Sequence, residues 1–289
     1  IQPVEQTVQL SSGEVIPYDV LSCNLGSQVP DDLVQGSLDD IFLVKPIERL
    51  YRAAQRIREL STKKNLKIAV VGSGPSAVEI AGNIWRLGQE PNMHEPVITV
   101  FAGRSLLPSH PTGVQQRAAT SLAARSIKVM KNCRIAEIQT GQLTDAQGTR
   151  YDVDLIFVAV GVRPNRVIGE SGIPTGLQGG MLVNRYLHST QYKNIFGGGD
   201  CIDFQDRPLD KVGVYAVRQN PLLKHNLMAS LTGERLRAFE PGGKYLLIFN
   251  LGDNTGILSK WSVVVGGRLA FFVKDWIDRR FMRTFQAFE

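Results

Sequence analysis

Apolar positions change period at one place in the chain with particular clarity. Ile68, Ala69, Val70 and Val71 form an unbroken apolar run, the pattern of a parallel strand buried on both faces. Six residues later the pattern turns amphipathic and predicts a helix, so "KIAVVGSGPSAVEIAGNIW" (67–85) reads as strand, glycine turn, helix. Elsewhere the same reading predicts a hairpin around Ser12-Gly13 and a strand from Tyr18 to Leu25. A helix over 46–64 follows, with Ile47, Leu50, Ala54, Ile57 and Leu60 on one face. A second strand spans Val97 to Phe101. "SIKVMKNCRIAEIQTG" holds two short β-rich runs, "DAQGTR" is a hairpin tip, and "DVDLIFVAVGVRPN" (152–165) is another buried strand. A helix ending near Gly233 follows, then two strands in "KYLLIFNLG" and "GILSKW", and a terminal helix in "GRLAFFVKDWIDRRFMRTF". Strands alternating with helices place the chain in the α/β class.

The glycine turn carries chemistry. Gly72-Ser73-Gly74-Pro75-Ser76-Ala77 fits G-x-G-x-x-G/A. Gly72 permits the tight turn, Gly74 lets a pyrophosphate approach the backbone, and Ala77 lets helix and strand pack closely. Pro75 suits the first helical turn, and Ser76 lies among the free N–H groups that attract an anion. An acidic residue about 20 positions on would bind the ribose of NAD. The strand Val97–Phe101 ends instead in Ala102-Gly103-Arg104. Arg104 has two readings, a partner for the 2′-phosphate of NADP or a solvated surface cation.

Composition narrows the field. The net charge of +6 suits an anionic nucleotide or membrane surface, and no nucleic-acid-binding motif is present, so nucleic acid is not an expected partner. Cys23, Cys133 and Cys201 are too far apart for a local redox disulfide or a zinc framework, and His94 and His110 lack metal-ligand spacing, so no metal is expected. No stretch has transmembrane length and no signal peptide is visible, which makes a cytoplasmic location the expectation.

Three further stretches belong together. "YDVLSCNLGS" and "YDVDLIFVAVGVRPN" share Tyr-Asp, an apolar strand and a glycine turn, and "NIFGGGDC" adds a strand, three glycines and an aspartate. With the turn at Gly72, this set resembles the pyridine nucleotide-disulfide oxidoreductases, flavoproteins with two dinucleotide-binding domains. The resemblance extends to type II NADH dehydrogenase-like modules, including those joined to selenophosphate synthetase, through "VKPIERL", "VGVYAVRQNPLL" and "KDWIDRRFMRTF".

The resemblance implies two Rossmann-like three-layer domains, for FAD and NAD(P)H, and a small α+β C-terminal domain. The expected boundaries are 1–45 and 152–238 for the FAD domain, 46–65 for a connector helix, 66–151 for the NAD(P) domain and 239–289 for an interface domain. It implies that Asp200, after Gly199, binds the ribitol of FAD, the other reading being a helix cap. Gly161 closes the second glycine turn, and the helix starting near Val214 points its N-terminus at the flavin. Glu79 falls near the nicotinamide–flavin stack as a proton relay, or else it complements the helix dipole. The implied activity is NAD(P)H oxidation through FAD to a quinone or other acceptor. The alternative is a nucleotide-binding module without turnover.

No FAD phosphate turn precedes residue 66 and the first residue is Ile. The expectation is that this unit lies upstream, that FAD is held weakly here, and that a strand position beside Val20 and Ile156 stands empty. The terminal helix suggests peripheral contact with the inner membrane face through Trp276, Ile277, Phe281, Phe285, Lys274, Arg279 and Arg283. Arg280 interrupts its apolar stripe, which favours packing on its own domain or in a homodimer.

Overall fold

The computed structural model describes residues 1–261 and 263–286, with side chains through residue 283. They form two units, residues 1–28 with 162–243 and residues 29–161 with 244 onward.

In the second unit five parallel strands lie in the order Ile41–Leu43, Leu155–Val158, Lys67–Val71, Val97–Phe101, Lys128–Met130. Parallel neighbours need crossover connections. The helices Glu48–Ser61, Pro75–Leu87 and Thr112–Ala123 supply them. Residues 68–71 and 155–158 are all buried, which explains their unbroken apolar runs. From Lys67–Val71 the chain steps outward to the edge at Lys128–Met130. It passes through an antiparallel meander of Ile135–Gln139, Gln142–Asp145 and Arg150–Asp152, then returns on the other side of Lys67–Val71. That reversal makes a switch point between Lys67–Val71 and Leu155–Val158, where open α/β sheets bind ligands at the strands' carboxyl ends.

The same unit holds an antiparallel sheet of Leu247–Asn250, Gly256–Lys260 and Val263–Gly267, followed by the helix Arg268–Gln286. This sheet meets the helix Pro75–Leu87 backbone to backbone. A Cβ on Gly82 would overlap the carbonyl oxygen of Leu251 and lie 2.7 Å from its carbon. Arg125 Nη1 donates to that same carbonyl, and Arg86 Nη1 donates to Gly252 O at 3.2 Å and Asn254 Oδ1 at 2.8 Å.

In the first unit Leu21–Cys23 runs parallel to Ile195–Gly197, and Met181–Val183 parallel to Ile202–Phe204. Phe196, Met181, Val183, Ile202 and Leu223 form its core. The helix Gly213–Thr232 stops at Gly233, whose φ of 75° is left-handed and whose N–H reaches Ala229 O. The hairpin pairs Thr7–Gln9 with Val15–Pro17 around Gly13.

Several expectations change. The strand in 152–165, which the resemblance placed in the FAD domain, pairs with Lys67–Val71 on one side and Ile41–Leu43 on the other. Its four buried residues need a neighbour on each edge, so no strand position stands empty beside Ile156. Residues 29–45 likewise cluster with the second unit instead of the first, and Ile41–Leu43 joins its sheet. The connector helix buries Ala53, Ile57 and Ser61, while Ile47 is exposed, a face rotated from the one expected. Residues 244 onward cluster with the second unit, because their sheet seats on Gly82.

Gly82→Ala tests that seating. In an open helix the change would stabilise by about 0.5–1 kcal/mol. Here the added carbon meets a backbone carbonyl that cannot swing aside, and overpacking costs about 1–3 kcal/mol. The expected outcome is a net loss of stability in urea unfolding.

Candidate functional site

At the switch point the two glycines of the turn do different work. Gly72 has φ +148°, and a Cβ there would overlap the carbonyl oxygen of Ala159, the residue just past Leu155–Val158. Its N–H donates to Phe101 O at 3.1 Å, so this glycine ties together three strand ends. Gly74 sits in extended backbone (φ −84°, ψ −177°) as the N-cap of the helix, and a Cβ on it would meet no atom within 4 Å. One glycine is demanded by packing; the other faces open space. Pro75 occupies the first turn, Ser76 is exposed and Ala77 fully buried. No side chain caps this terminus and its first turn holds no acidic residue. The positive end of the helix therefore lacks a protein counter-charge beside the open face of Gly74, which suits a phosphate.

The loop after Val97–Phe101 folds onto the turn, with Leu107 N–H donating to Ser73 O at 2.7 Å. Arg104 lies in this loop, exposed, and pairs with no carboxylate among the described residues. Glu79 lies beyond the first turn of the helix, so it does not complement the dipole there. Its Oε1 accepts the Asn250 N–H at 2.8 Å, which links helix to C-terminal sheet. Burial raises its carboxyl above the usual range, against the opposing effects of the Asn250 bond and Lys274.

The first unit carries the glycine turn before Asp200. Gly199 has φ +74° and its N–H donates to Gln219 Oε1 at 2.7 Å. Asp200 follows in a short 3-10 turn capped by Gly198, so Asp200 is not the cap; its Oδ2 accepts from Ser27 Oγ at 2.7 Å. The helix Gly213–Thr232 begins at extended Val212 with no side-chain cap and no acid in its first turn, and Val214 lies partly buried in that turn. Gly161, at φ +112° with open space where a Cβ would be, ends the turn after Leu155–Val158 in the other unit. Sequence reasoning missed Gln219 and Ser27, whose partners are 20 and 173 residues away.

Cys23, Cys133 and Cys201 are free and buried. Burial and the nearby Cys201 push the Cys23 thiol up to about 12, and burial raises the other two, so none is a ready thiolate. Among the described residues no cluster of three metal-ligating side chains occurs and no helix is long and apolar enough to cross a membrane.

The family model described as pyridine nucleotide-disulphide oxidoreductase matches residues 1–225. Ferroptosis suppressor protein 1 of Taeniopygia guttata is 26% identical over 285 residues, covering 95% of this chain and 73% of the relative. Demethylphylloquinone reductase NdbB of Synechocystis sp. is 26% identical over 272 residues, covering 90% of this chain and 66% of the relative. An FAD-dependent pyridine nucleotide-disulphide oxidoreductase from Desulfovibrio vulgaris superposes with TM-score 0.70 at 21% identity, covering 89% of this chain and 65% of the solved one. This chain thus spans about two thirds to three quarters of these proteins' lengths.

The two glycines of the first turn separate fold from binding. Gly74→Ala is expected to leave unfolding stability within about 0.5 kcal/mol while weakening NADH at least about tenfold, or about 1.4 kcal/mol, by calorimetry. Gly72→Ala is expected to yield an unfolded or grossly destabilised chain, since the new carbon collides with backbone at a positive φ.

Proposed function

The chain belongs to the pyridine nucleotide-disulphide oxidoreductase family, and from that premise we propose that it is the cofactor-binding part of an FAD-dependent NAD(P)H oxidoreductase delivering electrons to a quinone. One observation carries the reading: an uncapped helix N-terminus at a sheet switch point, with open space at Gly74 beside a Gly72 that packing demands. The quinone class draws support from the demethylphylloquinone reductase among the relatives. When bound, the cofactors supply the redox chemistry, hydride passing from nicotinamide to flavin.

The residues bind, orient and hold protons. In residues 29–161, Gly72, Gly74, Ser76 and Ala77 seat the dinucleotide pyrophosphate on helix N–H groups, and Pro75 fixes the helix start. Gly161 keeps its turn free of a side chain. In the other unit Asp200, steadied by Ser27, accepts hydrogen bonds from the ribitol, next to Gly199. The helix terminus at Val214 favours negative charge on the flavin. Glu79 is held through Oε1 by Asn250, and burial biases it toward its protonated form, fitting a group that holds a proton near the nicotinamide.

The test is direct. The chain is titrated with NADH and NADPH by calorimetry, then assayed with FAD and a soluble quinone. Binding of either nucleotide and flavin-dependent quinone reduction support the reading; absence of both nucleotide affinities removes it. Arg104→Ala is expected to weaken NADPH over NADH by about 1.5–3 kcal/mol, the worth of a charge-assisted bond. Equal losses would leave Arg104 a solvated cation.

A peripheral membrane location is part of the same proposal. In the helix Arg268–Gln286 Ala270 is buried, whereas Leu269, Phe272 and Trp276 are exposed, as are Trp261 and Val263 nearby. Arg280 does not interrupt this face: its guanidinium lies over the Trp276 ring at 5.6 Å. With Arg279 and Arg283 it lines a cationic hollow beside Trp276. The Phe285 side chain lies outside the described residues. Aromatic groups beside arginines suit an anionic bilayer surface. Co-sedimentation with phosphatidylglycerol vesicles, lost in Trp276→Ala/Arg280→Ala and in pure phosphatidylcholine, is the expected outcome.

A further inference from the structure

Gln219 stands on the second turn of the helix Gly213–Thr232 and is 1% exposed. A polar side chain so deeply buried is expected to satisfy both ends of its amide. Only one end is satisfied. Oε1 accepts the Gly199 N–H at 2.7 Å, whereas Nε2 is buried with no partner among the described residues. The amide cannot be turned over to repair this, since the Gly199 N–H would then face a second donor. The surroundings are shaped for the amide. A Cβ on Gly198 would stand 3.3 Å from Gln219 Oε1 and 3.4 Å from Asn24 Oδ1, and one on Gly199 would lie 3.3 Å from Ala216. Asp200 is the next residue, and its backbone direction follows from the left-handed Gly199 that Gln219 holds.

We propose that Gln219 is the positioning residue of the Asp200 turn, and that its unpaired amide N–H is a donor satisfied only when a flavin nucleotide is bound. The free turn carries the cost of a buried, unanswered donor. A ligand that repacks the turn and brings an acceptor to Nε2, directly or through an ordered water, relieves that cost and gains affinity from it. Gln219 therefore strengthens binding without contributing to the stability of the empty protein. An apolar side chain of the same shape would remove the unanswered Nε2 donor but leave the Gly199 N–H without its acceptor, so the two changes offset in the empty protein while the anchor is lost, which makes the effects on stability and on affinity separable.

The inference rests on the flavin reading, and one set of measurements distinguishes their failures. FAD affinity is followed by quenching of flavin fluorescence, and the stability of the FAD-free chain by urea unfolding, for the wild type, Gln219→Met and Gln219→Glu. The expected result for Gln219→Met is FAD affinity reduced about tenfold or more with little change in FAD-free stability. Gln219→Glu keeps an oxygen for Gly199 and, once protonated, offers an O–H in place of the amide N–H. Its FAD affinity is expected to recover toward the wild type between pH 8 and about pH 5, a profile that loss of packing alone would not produce. Gln219→Met that unfolds easily yet binds FAD within about twofold of the wild type would make Gln219 a residue of the fold only and overturn the inference. A Gln219→Glu profile parallel to the wild type would overturn the donor role. Absence of FAD binding in the wild type would overturn the flavin reading, and this inference with it.

Discussion

The approach of the Ala159 carbonyl to Gly72 is the constraint from which the rest of the second unit follows. Two parallel strands, Lys67–Val71 and Leu155–Val158, end side by side, and their exits must diverge because the chain reverses direction across the sheet here. The backbones come so close that no side chain fits at position 72. The turn is then narrow, the helix starts immediately at Pro75, and its N–H groups emerge at the mouth of the crevice. An uncapped helix terminus of the kind that suits an anion is thus a by-product of strand packing: once Gly72 is forced, the open face at Gly74 lies at the positive end of the helix.

The same helix has a second duty lower down. Gly82 admits the Leu251–Gly252 backbone, while Arg86 and Arg125 hold those carbonyls and Glu79 holds the Asn250 N–H. Its N-terminal turn is free for an anion, and its middle is committed to the C-terminal sheet. A buried cation such as Arg125 and a part-buried carboxylate such as Glu79 are costly unless hydrogen-bonded. Here they bond to backbone groups of one short turn, which explains why residues far apart in sequence form one unit.

What was legible in the sequence was local. The run Ile68–Val71, the glycines and the helix after them declare themselves within twenty residues, as does the stop at Gly233. What was not legible was adjacency. The run Leu155–Val158 reads as a doubly buried strand in any parallel sheet, and nothing in its own residues says which sheet it enters. The helix Thr112–Ala123 was missed although Val114, Ala118 and Leu122 are buried at helical spacing, because glycine and threonines dilute its pattern. The strand Val263–Gly267 was missed because it is short and ends in Gly266-Gly267, a pair that reads as a turn rather than as strand. Asp200 and Gly199 were visible as a motif, while Gln219 and Ser27, which hold them, are ordinary polar residues until the fold brings them near.

The two glycine turns reach the same end by different physics. At Gly72–Ala77 the backbone alone makes the site: strand spacing sets the turn, the helix supplies charge, and no side chain caps it. At Gly198–Asp200 the helical segment is a single 3-10 turn, too short to supply a comparable dipole, and side chains from distant segments set the geometry instead. Ser27 orients the carboxylate and Gln219 orients the peptide before it. A backbone-built site is as stable as the sheet that forces it. A site built by side chains can carry an unanswered donor such as Gln219 Nε2, because its energy is adjustable one group at a time. In the first unit the geometry of the turn is therefore set by individual side chains, whereas in the second it is set by the spacing of the strands.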